Sequence, residues 1–389
     1  MLSLGWIDFS QSDRNRVLEV LRQLKEPGAV DELGIGTIRD RFSDLLFPGT
    51  STIQTRAKYF FLIPYICLEL EREKVRTPEA FIAELEKREI DLIDILVVDG
   101  AEGVIGMRSG ETLVRKPSHV YWNGLRIFGL LEKPVTAHEY ARQVYQYKKD
   151  LNYLKSSIRK TESELSADDP IYLANGSTFW RVPYPKEDWR DHLTIDLTQE
   201  EASFLREKIL SQKNTTDTLL ALILRENRSD FIEYDEFSDM DALLDLMDET
   251  QREHYLLARN FSAFIFGAQI RYNVLFSDGQ NEEANSLWEQ YQEKVIQVNL
   301  DRIGEVLKPR TSVMRFLKEY QEVSTDVPRL DELIRRREIR LKGRSRSKLT
   351  NKELYRYDSR NINMRPLNYR LSYVQRIIQD VFEGEKQNV

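Results

Sequence analysis

The sequence predicts a mainly α protein: an N-terminal helix-turn-helix or winged-helix-like module, followed by a helical bundle with a basic C-terminal tail. Three observations carry this. Apolar residues recur at three- and four-residue spacing over long stretches, as in Tyr140, Val144, Tyr147 and Leu151, or Leu287, Tyr291, Val295 and Val298. Ser51–Gln54, Thr136–Glu139 and Thr198–Glu201 have the spacing of capping boxes, each marking a helix start. Tyr59 to Leu68 is a ten-residue run without charge that reads as a buried rod.

Taken in order, Gly5 to Phe9 is a short extended opening, and Ser10 or Ser12 caps a first helix with Val17, Leu18, Leu21 and Leu24 on one face. Two helices follow within Gly34 to Lys74, joined by a corner at Pro48-Gly49, the second starting near Ser51. Thr77-Pro78 opens a helix to about Asp94, since proline suits a first helical turn. Ile95 to Arg115, punctuated by Gly100, Gly103, Gly106 and Gly110, reads as a small hairpin or wing. It lacks the Gly-Lys-Ser/Thr of a phosphate loop. Pro117 leads a helix with Tyr121, Trp122, Leu125 and Phe128. Thr136 opens a long arm whose apolar face extends to Leu154 and Ile158.

The stretch Ser163 to Asp191 reads as an irregular crossover anchored by Trp180 and Trp189. It sets the expected domains: 1–162 as a helical N-terminal domain, 163–191 as linker, 192–389 as a helical C-terminal domain with a basic tail at 335–376. In the second half Leu219 to Leu224 is a helix core, Asp239 to Glu249 an acidic helix, and Gln251 to Phe276 the central helix. Ser277-Asp278-Gly279 turns the chain, Glu282 to Leu307 returns, and Leu371 to Phe382 is a closing amphipathic helix.

A chain of 389 residues, 41% hydrophobic and 10% aromatic, builds real cores. The longest apolar run is well short of the roughly 20 residues that span a bilayer. The opening MLSLGWIDFSQSDR lacks the pattern of a signal peptide, so a cytoplasmic protein without membrane partners is expected. Cys67 is the one cysteine, which excludes intramolecular disulfides and cysteine-based zinc sites.

Net charge −7 conceals an asymmetry. Arg335 to Arg376 holds fourteen Lys and Arg against three acids, a local +11 that leaves −18 on the remainder. Lys/Arg clusters interleaved with Tyr355, Tyr357, Tyr369 and Tyr373 suit phosphate neutralisation with stacking. The expected nucleic-acid contacts there are Arg335, Arg336, Arg337, Arg340, Lys342, Arg344, Arg346 and Lys348, with Gly343 to Ser347 as a mobile loop. A second surface is expected at the corner, where a recognition helix would present Gln54, Arg56 and Lys58. The alternatives are a solvated helix start at the corner and, for the tail, a basic patch docked on this chain's own acids or on an acidic partner.

Catalytic patterns are absent from the sequence. His119, His138, His192 and His254 have no paired-ligand spacing, and no Gly-x-Ser-x-Gly elbow occurs. No catalytic residue, metal site or cofactor is therefore expected. Asp99 with Glu111, or Glu293 beside Lys294, would be the start of a metal-nuclease triad, without the strand context one needs.

The blocks GWIDFS, DELGIGTIRDRFSDLLFPGTSTIQTRAKYFFLIPYI and VRKPSHVYWNGL resemble an uncharacterised bacterial domain-of-unknown-function family. The likeness runs along the chain and is clearest in its first third. It implies a setting near helicases and phospholipase-D-like proteins in phage-defence gene clusters, and it brings no catalytic residues. The expected function is thus a non-catalytic DNA-binding or adaptor subunit of a multi-protein anti-phage system, partnered by nucleic acid and a helicase or nuclease subunit. The alternatives are a protein scaffold that recruits such a subunit without touching nucleic acid, and a cryptic metal-dependent nuclease.

Overall fold

Helices form where capping and periodicity place them, with the exceptions noted below. The computed structural model describes residues 31–74, 76–97, 101–161, 179–294, 296–355 and 364–386; for 152 and 154–161 it describes the helical backbone only. The expected opening strand, the first helix and most of the crossover lie outside these residues, as do the far end of the arm's apolar face and Tyr357. The α-helices are α1 Gly36–Leu46, α2 Tyr59–Arg72, α3 Pro78–Val97, α4 Pro117–Ile127, α5 Ala137–Thr161, α6 Gln199–Ser211, α7 Leu219–Arg225, α8 Glu249–Phe276, α9 Glu282–Gln292, α10 Leu300–Leu307, α11 Thr311–Val323, α12 Val327–Lys342 and α13 Leu371–Lys386. No strand occurs among the described residues, where a single bridge joins Leu131 and Trp180.

The chain divides into two compact units, each discontinuous in sequence. One comprises 43–252 with 370–389, the other 1–42 with 253–369. This division does not coincide with the boundary expected at 163–191.

In the unit built on 43–252, α2 is the rod the composition predicts: every residue from Tyr59 to Leu68 is buried. It packs against α3 and α4, while α5 lies along α3. Close approach at α4 requires Gly124, because a Cβ there would stand 2.6 Å from the Gly49 carbonyl and 2.7 Å from the Phe60 ring. The C-terminal helix α13 packs along α6 and against the 3-10 turn Ser229–Glu233. Its Val374, Ile377, Ile378 and Val381 are buried, as the amphipathic spacing demands. Trp180 and Trp189 do anchor the crossover, donating to the Tyr140 hydroxyl and to Glu69.

The other unit centres on the α8 residues from Glu253 onward. Phe42 packs on Phe261 and Tyr369. Tyr291 and Tyr320 both donate to the Phe264 carbonyl at 2.8 and 3.0 Å. The helices α10, α11 and α12 pack in succession, and Arg271 on α8 pairs with Asp331 on α12.

Four expectations are corrected. The second corner helix starts at Tyr59, not near Ser51, so residues 47–58 form a long irregular connection instead of a tight helix-turn-helix corner. The expected wing begins as the end of α3, and from residue 101 it is a run of turns leading to the 3-10 turn Gly110–Thr112, with Gly103 and Gly106 at positive φ and the Ile105 N–H donated to the Tyr59 hydroxyl. The acidic helix is a 3-10 stretch, Phe237–Leu246. The return from Glu282 is broken into α9 and α10, the latter capped afresh by Asn299.

Candidate nucleic-acid interface

The corner residues turn inward. Gln54 is 3% exposed; its amide donates to the Gly49 carbonyl and accepts from the Ser51 N–H, both at 3.0 Å. The capping box is therefore half made, but no helix grows from it. The next backbone donors, Thr55 N–H and Arg56 N–H, go to the Tyr121 hydroxyl, which in turn donates to the Arg56 carbonyl. Arg56 is held by Asp380 at 2.9 Å and by Asp196, with its remaining arm on the Glu102 carbonyl. Lys58 donates to Glu201 at 2.7 Å, and Glu201 also accepts from Tyr65. Burial lifts the Asp380 carboxyl to about 6 against the pull of Arg56 and the Ala57 N–H, so it is still ionised at neutral pH. These three side chains build the interior of their unit, and in this structure they offer nothing to a phosphate. A charged residue is almost never fully buried unless paired, and here each cation has its carboxylate.

The basic stretch of α12 splits into two sets. Arg337 is 4% exposed: Nε donates to the Leu33 carbonyl at 2.8 Å, the other nitrogens reach the Gly34 and Ser312 carbonyls, and the guanidinium lies over the Phe316 ring. Burial lowers its pKa from the ordinary arginine value. Lys342 is buried between Glu338 and Glu32, and Lys348 also pairs with Glu32. Arg336 is exposed but mated to Glu319 at 2.7 Å. Arg335, Arg340, Arg344 and Arg346 are exposed, and none of the four is paired with a carboxylate among the described residues.

The segment after α12 is a built turn, where the sequence predicted a mobile loop. Gly343 at φ 79° reverses the chain into the 3-10 turn Arg344–Arg346. Glu338, fully buried, then accepts from Tyr272 at 2.6 Å, from the Ser347 hydroxyl at 2.7 Å, and from the Lys348 and Leu349 N–H groups and Lys342 at 3.1 Å. Burial alone would raise this carboxyl; the hydrogen bonds outweigh it and hold the group below its ordinary value.

The tail tyrosines differ in placement: Tyr373 is exposed and Tyr355 half-buried, but Tyr369 is withdrawn from the surface. Tyr369 is buried with its hydroxyl on the Ala258 carbonyl, and Arg370 is turned to Asp44 and the Thr50 carbonyl. Charge follows the division of the chain. The unit containing α12 has 27 Lys and Arg against 23 Asp and Glu, a net +4, whereas its counterpart has 30 against 41, a net −11.

The inward set was readable in part. Leu330, Ile334, Arg337 and Leu341 fall at three- and four-residue spacing, a stripe that puts Arg337 on the core side of its helix. The role of Asp380 had no such signal. Among the described residues no group of three or more His, Cys, Asp or Glu is placed to hold a metal ion, and no helix is long and apolar enough to cross a membrane. Residues 1–287 match the model of a family of unknown function. No curated protein and no solved structure matches the chain.

Proposed function

The chain belongs to that family, DUF6361, and from its geometry we propose a non-catalytic DNA-binding or adaptor subunit of a multi-protein anti-phage system. The observation that carries the reading is the exposed set Arg335, Arg340, Arg344 and Arg346, free of carboxylate partners among the described residues, on the one unit with net positive charge. Polyanions are drawn to such a face, and association driven by it weakens steeply with salt. The corner residues Gln54, Arg56 and Lys58 are left out of the interface by their burial. The anti-phage setting comes from the sequence resemblance to proteins found beside helicases and phospholipase-D-like proteins.

The experiment is a gel-shift titration at several salt concentrations, comparing the native chain with one in which Arg335, Arg340, Arg344 and Arg346 are changed to Glu. Loss of binding in the variant supports the reading, and equal affinity ends it.

A second reading, a scaffold for a basic protein partner, is favoured by the segment from Ser229 to Gln251. It carries nine Asp and Glu and no Lys or Arg, and most of these acids are exposed. Co-purification with a neighbouring helicase that survives nuclease treatment and is lost on neutralising these acids would select it.

A further inference from the structure

We propose, resting on the nucleic-acid reading above, that this face takes the phosphodiester backbone alone, without regard to base sequence, and that Glu338 is the positioning residue that holds its turn in place.

Base readout needs amides and cations that reach groove edges, or aromatic rings on which bases stack. Of the groups of that kind that the sequence singled out, four are internal, while Tyr373, 40% exposed, belongs to the other unit. Gln54 bonds its own loop, Arg56 and Lys58 are mated to carboxylates, and the Tyr369 ring is buried. Of the cations expected to bind, those left outward without a carboxylate are guanidinium groups on the second half of α12 and on the turn after it.

A helix lying lengthwise in a groove would carry its whole outer side toward the two phosphate strands. The first half of α12 is unsuited to that, because Glu332 is exposed there and its Arg329 stands beside Asp326. Contact is thereby confined to the last turns of the helix and to Arg344–Arg346. Four guanidinium groups correspond to about four neutralised phosphates, and a duplex then gives a slope of log K against log salt of roughly −3.6.

The turn is kept in place by one carboxylate. Glu338 receives the Ser347 hydroxyl and the N–H groups of Lys348 and Leu349, which fixes where the chain leaves the turn, and Gly343 fixes where it enters. Arg344 and Arg346 are thus presented from a folded backbone, and binding does not have to order a loop first.

The test is fluorescence anisotropy of the full chain with two duplexes of equal length and unrelated sequence, titrated over salt. The expected result is affinities within about twofold of each other at every salt concentration, with the slope near −3.6. Arg344→Ala with Arg346→Ala should make the slope shallower by about two. Glu338→Gln, folded by circular dichroism, and the milder Ser347→Ala should shift the slope in the same direction. A preference above tenfold for one duplex overturns backbone-only recognition while leaving nucleic-acid binding intact. A native slope in both Glu338→Gln and Ser347→Ala overturns the positioning role. No binding to either duplex at low salt overturns the functional reading and this inference together.

Discussion

Arg56 and Asp380 are 324 residues apart in the chain, yet their guanidinium and carboxylate meet at 2.9 Å with both side chains almost fully buried. The same carboxylate accepts the Ala57 N–H, so α13 is tied to the connection that precedes α2 by both side chain and backbone. Removing one partner of a buried pair leaves an uncompensated charge, which costs more than the pair itself contributes. Arg56→Met, which strands the Asp380 carboxylate, should lower the unfolding free energy by about 3–5 kcal/mol. Arg56→Met combined with Asp380→Leu should cost less than the single change. Urea denaturation measures both, and a single-variant loss under about 1 kcal/mol contradicts the buried-pair account.

Glu89 gives a pH dependence of the opposite sign to most carboxylates. It is 3% exposed on α3, accepts from the Ser118 N–H and hydroxyl at 2.5 and 2.9 Å, and burial pushes its carboxyl up to about 8. The folded chain therefore holds this proton more tightly than the unfolded chain does. Its contribution is fully present below the ordinary carboxyl range near 4.5 and is lost as pH rises through about 8, by roughly 1.4 kcal/mol per pH unit inside that window. Glu89→Gln keeps the shape and carries no charge. Its stability relative to the native chain should rise steadily from pH 5 to pH 8 in parallel denaturation curves; a constant difference rules this account out.

How far the fold was legible depended on whether a signal was local. The boxes Thr136–Glu139 and Thr198–Glu201 became capped helices because their backbone donors had no better offer. Ser51–Gln54 carried the same pattern and failed, since the hydroxyl of Tyr121, some 66 residues on, takes the N–H of Thr55 that a growing helix would have used. The split among the basic residues of α12 was similar. Composition located the cluster, and the apolar stripe pointed at Arg337, but Glu32 and Glu338 as partners of Lys342 depend on tertiary placement.

Gly267 marks a close crossing inside the unit built on α8. A Cβ at this position would lie 2.1 Å from the Tyr291 ring, whose hydroxyl donates to the Phe264 carbonyl. Overpacking of this kind typically costs about 1–3 kcal/mol. Gly267→Ala should therefore destabilise the chain, and Tyr291→Ala, which clears the space, should make the second substitution far less harmful. A double-mutant cycle reads the coupling. Strictly additive effects would show that the ring does not limit the approach.

Neighbouring arginines of α12 should separate binding from stability. Arg337 donates to three carbonyls from one planar guanidinium and lies 4.7 Å over the Phe316 ring. Lysine keeps the charge but has neither the fork nor the flat face, so Arg337→Lys strands buried carbonyls that need donors. It should lower the unfolding free energy by about 2–4 kcal/mol, counting roughly 1–3 kcal/mol for each buried acceptor left unsatisfied. At temperatures where the variant is folded, its salt slope for nucleic acid should equal the native one. Arg340→Glu, two residues past Glu338 and exposed, should do the reverse: stability within about 0.5 kcal/mol of native, as for most surface changes, and binding weakened at every salt concentration. If Arg337→Lys alone flattened the salt slope, the inward guanidinium would have to reach the ligand, and the division of α12 into a core-facing and a phosphate-facing set would be wrong.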